Sequence, residues 1–205
     1  MSDSFILASL SPRRRQLLGS LGLRFTVVPS GVEESRLDGE SPRDHVMRLS
    51  REKAFHVAGK YPDSWVLGAD TIVVVDGTIL GKPGDPDEAR AMLRRLSGRE
   101  HMVITGFSIV NRKGGVAHVE AVETSVLFRD LDDEEIEWYI KGDEPYDKAG
   151  GYAFQGGAGC FVQSIRGSAS NVIGLPLAEV VAAMKRLGVV RLDAGEGGMD
   201  DVDNK

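Results

Sequence analysis

This chain has little cysteine, no long apolar run and no excess of basic charge, and each lack excludes something. Its single cysteine, Cys160, forbids an internal disulfide and fits a reducing compartment. No stretch approaches the roughly 20 apolar residues that cross a bilayer. The opening Met1-Ser2-Asp3-Ser4 lacks the basic start of a secretory signal. The expectation is therefore a cytoplasmic protein with no membrane partner. Lysine and arginine number 25 against 31 acidic residues, a net charge of −6. Much of that excess falls at the end, where Asp193, Glu196, Asp200, Asp201 and Asp203 face only Lys205. The remaining body is close to neutral. A general nucleic-acid binder needs a basic face, so no nucleic-acid partner is expected, although a local basic pocket remains open.

What is present is ordinary globular material. At 205 residues the chain can build one sizeable core or two small lobes. Residues 1–192 read as one domain, divided into two lobes at most. The Gly- and Asp-rich residues 193–205 read as a disordered tail.

The stretch around which the rest is organised is Val66-Leu67-Gly68-Ala69-Asp70-Thr71-Ile72-Val73-Val74-Val75. Its β-branched run predicts a strand buried on both faces. An aspartate inside such a strand is costly unless it is paired, metal-bound or used. The competing reading is a bulge or a solvated strand end. Gly68 and Ala69 leave the backbone uncrowded, so another group can come close.

A second concentration of chemistry lies near the start. Phe5-Ile6-Leu7-Ala8 predicts a short buried strand, and Ser9-Leu10-Ser11-Pro12-Arg13-Arg14-Arg15 follows. Ser11 suits an N-cap and Pro12 the first helical position. Free backbone N–H groups, the helix dipole, the hydroxyls of Ser9 and Ser11 and the guanidinium forks of Arg13 and Arg14 make an anion site. A solvated basic helix start is the alternative. Basic charge at a helix N-terminus opposes the dipole, however, and such local conflicts mark functional sites.

Further along, Ser41-Pro42-Arg43-Asp44 opens a helix with an apolar face of Val46, Leu49 and Val57, and Lys53 falls in the middle of that face. Such a lysine either snorkels out or points into a polar cleft. Glu33 and Glu34 lie in the preceding loop. Asp76-Gly77 is a hairpin signal, and Lys82 follows on a rigid Gly81-Lys82-Pro83 loop. Two long strands, 101–110 and 116–128, are joined at Lys113-Gly114-Gly115 and predict an antiparallel pair. Residues 142–159 read as a long Gly-rich loop, of the kind that is usually functional or disordered. Tyr152 and Phe154 speak against disorder.

Several motifs occur in order: Leu7-Ala8-Ser9, Ser11-Pro12-Arg13-Arg14, Glu33-Glu34, Arg51-Glu52-Lys53-Ala54, Gly68-Ala69-Asp70-Thr71, Gly81-Lys82-Pro83, Leu96-Ser97-Gly98, Asp147-Lys148-Ala149-Gly150, Gln155-Gly156 and Gly174-Leu175-Pro176-Leu177. Together they resemble the Maf family of nucleoside-triphosphate pyrophosphatases, from about Phe5 to Leu187. The resemblance implies an α/β fold with a long mixed sheet flanked by helices and two lobes around a cleft, related to the inosine-triphosphate pyrophosphatases. It implies hydrolysis between the α- and β-phosphates of a nucleoside triphosphate. Asp70 resembles the family's general base. Arg13, Arg14, Lys53 and Lys82 are expected to neutralise phosphate charge. Glu33 is expected to hold Mg²⁺ or Mn²⁺. Asp70 is the other candidate metal ligand, and its two roles stay open at this stage.

The resemblance also bears on specificity. Members favouring dTTP and UTP resemble this chain at Arg13, Thr71 and Gln155, whereas those favouring 7-methyl-GTP carry tryptophan, glutamine and glutamate there. Gln155 offers a donor and an acceptor, which suits the imide edge of uracil or thymine. Ala153-Phe154 departs from the Gly-Ile common in the family, which should alter pocket shape more than chemistry. The rival readings are the same chemistry on 7-methyl-GTP or modified nucleotides, and a non-catalytic nucleotide-binding regulator of cell division. The family is often dimeric, but no self-complementary patch can be read from these residues.

Overall fold

A computed structural model describes residues 4–190. The expected acidic tail lies outside the described residues. Seven strands form one mixed sheet: β1 (Phe5–Leu7), β2 (Thr26–Val27), β3 (Trp65–Val75), β4 (Thr78–Leu80), β5 (Glu100–Asn111), β6 (Val116–Phe128) and β7 (Val162–Arg166). The order is β2-β1-β3-β5-β6-β7, with β4 pairing β3 off this path. β1 runs parallel to β2 and β3. β3, β5, β6 and β7 are successively antiparallel. The helices are α1 (Pro12–Gly19), α2 (Pro42–Ala58), α3 (Pro86–Leu96), α4 (Asp133–Ile140), α5 (Ala169–Ile173) and α6 (Leu177–Arg186). The expected α/β fold with a long mixed sheet flanked by helices is the one observed. None of the described helices is long and apolar enough to cross a membrane.

The central strand explains the architecture. Along one edge β3 pairs with β5 from Val66 to Val74. Along its other edge it pairs with β1 at Trp65, Val66 and Leu67, and with β4 at Val73, Val74 and Val75. Between those two partners, residues 68–72 have no strand beside them, and Asp70 stands in the middle of that gap. Strand side chains alternate in direction, so Asp70 and Thr71 leave β3 on opposite faces.

One face is covered by α2. Its Ala54 and Val57 pack with Val66 and Val110, and its Val46 packs with Ile72 and Ile104. The other face carries two separate clusters. Leu17 and Leu18 of α1, with Val180 and Met184 of α6, pack on Leu67, Ala69 and Phe107. Leu93 and Leu96 of α3, with Ile136 and Tyr139 of α4, pack with Val73, Val75 and Phe128. The division between these clusters falls at Asp70 and Thr71.

The helix starts follow local rules. Ser11, Ser41 and Asp85 are N-caps, each followed by a proline in the first turn. Asp132 and Glu135 form a reciprocal capping box at α4. Residues 142–159, expected as an irregular loop, contain three 3₁₀ turns instead, Glu144–Asp147, Ala149–Gly151 and Gly157–Phe161, the last running on to meet β7. The short helix α5 is an addition to the sequence reading.

Candidate active site

A cavity of about 510 Å³ opens at the gap in the sheet. Ser9, Arg13, Arg14, Lys53, Asp70, Thr71, Lys82 and Gln155 all line it. The chain therefore brings together, from five separate segments, every residue singled out above except Glu33.

Asp70 is only 6% exposed, so the bulge or solvated strand end is not what the chain builds. It has a partner: Lys53 Nζ donates to Asp70 Oδ1 at 2.7 Å. Lys53 is itself 5% exposed, so it points into the cleft rather than snorkelling outward. A second donation from Nζ reaches Glu34 Oε1 at 2.6 Å. The ammonium thus bridges two carboxylates. Burial works against ionisation of Glu34, but the hydrogen bond and charge of Lys53, with Lys82 and Arg14 beyond, outweigh it and hold its pKa below the usual value.

Glu33 is exposed and stands outside the cavity lining, which its neighbour takes. Of the pair, Glu34 is the one whose carboxylate reaches Lys53. The Glu33-Glu34 pair was visible in the sequence; which member turns inward is decided by how the loop is tethered. Arg48 of α2 donates from Nη2 to the backbone carbonyl of Ser35 at 2.9 Å and to Glu40 Oε2 at 2.9 Å, while its Nε donates to Glu40 Oε1 at 2.6 Å. Glu40 also meets His45 Nδ1 at 2.8 Å. The bonds from Arg48 and His45 outweigh burial and pull the Glu40 carboxyl down to about 2. This anchor fixes the chain immediately after Glu34, at Ser35 and Glu40.

On the opposite face of the sheet, Arg14 is held by three oxygens. Its Nε donates to the Gly174 carbonyl at 2.8 Å, its Nη1 to Ser9 Oγ at 3.3 Å and its Nη2 to Thr71 Oγ1 at 2.9 Å. Thr71 Oγ1 lies 2.9 Å from Thr105 Oγ1, its cross-strand partner on β5. The buried Asn171 of α5 lies behind, donating to the carbonyls of Val103 and Val122 and to Thr124 Oγ1. Burial lowers the Arg14 pKa, and the charges of Asp70 and Glu34 oppose that shift. Guanidinium stays charged throughout. Thr105 and Asn171 escaped the sequence reading because buried polar residues in a strand or short helix carry no local signature.

Arg13 faces the cleft from the α1 start and pairs with Asp147 Oδ2 at 3.6 Å. Lys82 is placed by its rigid loop, where Gly150 N donates to the Gly81 carbonyl at 2.9 Å. Gln155 is exposed and lines the cavity together with its neighbours Ala153 and Phe154. Among the described residues no cluster of three or more His, Cys, Asp or Glu forms a ready-made metal cage. The cavity wall thus carries Arg13, Arg14, Lys53, Lys82 and Lys148 against Glu34, Asp70 and Asp147, together with the amide of Gln155. Such a wall suits a polyanion bearing a polar ring.

Comparison with known proteins agrees with this chemistry. The family model for Maf-like protein matches residues 4–187. A protein of Syntrophus aciditrophicus named dTTP/UTP pyrophosphatase is 53% identical over 188 residues, covering 92% of each chain. A protein of Geotalea uraniireducens with the same name is 52% identical, covering 92% of this chain and 97% of its own. Among solved structures, a HAM1 protein from Coxiella burnetii aligns over 62% of this chain and 73% of its own, with 12% identity and a TM-score of 0.41. By the extent of the family match and the identity to these relatives, the chain belongs to the Maf family.

Proposed function

We propose that this protein is a nucleoside-triphosphate pyrophosphatase acting on dTTP and UTP, releasing the monophosphate and pyrophosphate. The observation that carries the reading is the buried Asp70–Lys53 contact, 2.7 Å long, at a gap in the sheet within a cation-lined cavity. A pure binder has little use for a buried carboxylate facing a polyanion. The names of the relatives supply the substrate class.

In this reading the triphosphate lies across the gap. Arg13, Arg14, Lys53 and Lys82 neutralise its charge, most strongly as charge builds on the phosphates in the transition state. Asp70 accepts the proton of the water that attacks the α-phosphorus. Lys53, tethered by Glu34, holds the Asp70 carboxylate in one orientation. Pyrophosphate is the leaving group. Gln155, on the cavity lining, pairs with the imide edge of the pyrimidine. Thr71 acts by presenting its hydroxyl oxygen to Arg14, which places one phosphate ligand.

The donor chemistry fits a hard divalent cation. Mg²⁺ is usually held by one or two carboxylates together with substrate phosphates and water. With Asp70 as the base, Glu34 is the cavity carboxylate that would hold Mg²⁺ or Mn²⁺ here, where the sequence offered Glu33 or Asp70. When bound, the cation would add charge neutralisation at the phosphates.

Pyrophosphate release from a panel of triphosphates, with and without Mg²⁺ or Mn²⁺, tests the proposal. Turnover should be highest with dTTP and UTP. Preference for 7-methyl-GTP would replace the substrate assignment, and no release from any triphosphate would favour a nucleotide-binding regulator.

A further inference from the structure

The exposed Gln155 side chain rests on a backbone that is tied from behind at two points. Tyr139, on α4, is 4% exposed. Its hydroxyl accepts from Ala153 N at 3.0 Å and donates to Glu144 Oε1 at 2.6 Å. The other carboxylate oxygen, Glu144 Oε2, accepts from Gly157 N at 3.2 Å. The amides two residues before and two residues after Gln155 therefore end on one connected pair of side chains. Between them Gly156 N donates to the Ala153 carbonyl at 3.0 Å, which closes a tight turn.

The turn also lies flat on that pair. A Cβ on Gly156 would come within 2.0 Å of Glu144 Oε2, and one on Gly157 within 3.4 Å of the Tyr139 ring. Any side chain at 156 would push the turn off Glu144. Burial, and secondarily the Glu144 bond, raise the pKa of the Tyr139 hydroxyl, so it remains a donor across the working pH range. Glu144 has no stated part in the chemistry above, and Tyr139 lies outside the cavity lining.

We propose that Tyr139 and Glu144 are positioning residues for base selection, holding the 153–157 turn so that Gln155 meets the pyrimidine edge. This rests on the reading above in which Gln155 contacts the base. Displacing an amide by even an ångström spoils paired hydrogen bonds to a ring edge, because such bonds weaken steeply with angle. Apart from Asp147 and Lys148, which follow Glu144 on its 3₁₀ turn, the charged wall is built from α1, α2, β3 and the Lys82 loop, so loss of the Tyr139 hydroxyl alone should leave it in place.

The test is a double-mutant cycle on Tyr139→Phe and Gln155→Ala, measuring kcat and KM for dTTP and for GTP. Tyr139→Phe should raise KM for dTTP by about tenfold, the scale of a lost hydrogen bond with an unpaired buried partner. Its kcat should stay within about twofold, and the preference for dTTP over GTP should fall. In the Gln155→Ala background the same change should have little further effect, since the two act through one contact. An unchanged KM and preference in Tyr139→Phe, or effects that simply add to those of Gln155→Ala, would overturn the positioning role. Should Gln155→Ala itself leave base preference intact, the assignment of Gln155 falls, and the inference with it. If Tyr139→Phe does not fold, Glu144→Ala carries the same cycle, because it removes both the oxygen that accepts from Tyr139 and the oxygen that accepts from Gly157.

Discussion

Lys53 Nζ lies 2.7 Å from Asp70 Oδ1, and two glycines elsewhere in the sheet set that distance. A Cβ on Gly68 would stand 2.4 Å from the Ser50 carbonyl oxygen and 2.7 Å from Ala54 N. A Cβ on Gly106, the cross-strand partner of Asp70, would stand 2.2 Å from the Val46 carbonyl oxygen. The backbone of α2 therefore rests directly on β3 and β5. Only with the helix this close does the Lys53 side chain reach the β3 carboxylate.

Asp70→Asn keeps the shape of the site and removes the base. Turnover on dTTP should fall by about 10²–10⁴, the usual worth of general-base catalysis, with KM changed little because the cationic wall is intact. Steady-state pyrophosphate release measures both. Near-wild-type turnover would remove Asp70 from the role of base.

Gly68→Ala inserts a methyl group where helix backbone already stands. Overpacking of this kind costs about 1–3 kcal/mol, which urea denaturation will read as a lower midpoint. The same variant should lose activity at temperatures where it remains folded, because α2 must back away and carry Lys53 with it. A folded, fully active Gly68→Ala protein would show that the Lys53–Asp70 contact tolerates displacement.

The adjacent glutamates separate cleanly. Glu34→Gln removes the charge that anchors Lys53, and kcat/KM should drop by roughly tenfold to a hundredfold, as for a lost charged hydrogen bond. Glu33→Gln, at an exposed position, should leave kcat/KM unchanged. The opposite ranking would return Glu33 to the site.

Acid stability should depend on His101. It is 2% exposed, and its Nε2 lies 2.8 Å from Tyr152 Oη on the cavity wall. Burial lowers its pKa from 6.5 to about 4, opposed by the Arg99 backbone and the Glu100 charge. A depressed folded pKa means that the neutral form is favoured in the native state. The associated stability is fully present above the unfolded pKa of 6.5 and is lost as pH falls toward about 4. The loss across that window is roughly 3 kcal/mol by linkage. Urea titrations at stepped pH should show wild type losing that much more than His101→Gln, and parallel pH profiles would refute the assignment.

Several features were legible because they are local. N-caps such as Ser11 and Ser41 act within one turn of chain. The β-branched run of β3 and the Lys113-Gly114-Gly115 turn between β5 and β6 need no distant partner to be recognised. Asp70 announced itself because a carboxylate in an apolar run conflicts with its neighbours. Lys53 did so because helical periodicity places it on a buried face. The ordered motifs added the family, and with it the expected chemistry.

What the chain alone leaves open depends on groups far apart in sequence. The choice between Glu33 and Glu34 rests on Arg48 and Glu40 pinning the loop. The outcome at Lys53, snorkelled or paired, rests on helix backbone meeting glycine. The family resemblance marks Thr71 for specificity, but its contact with Arg14, 57 residues away, which donates to its hydroxyl, is a product of the fold. The gap beside Asp70 exists because β1 ends and β4 begins on the same edge of β3, a relation between three strands that no window of sequence contains. Residue types and local periodicity thus determined the elements and the kind of chemistry available. Which side chains meet, and at what distance, was decided by packing, since hydrogen bonds and charge pairs fall off over ångströms while the sequence records only order along the chain.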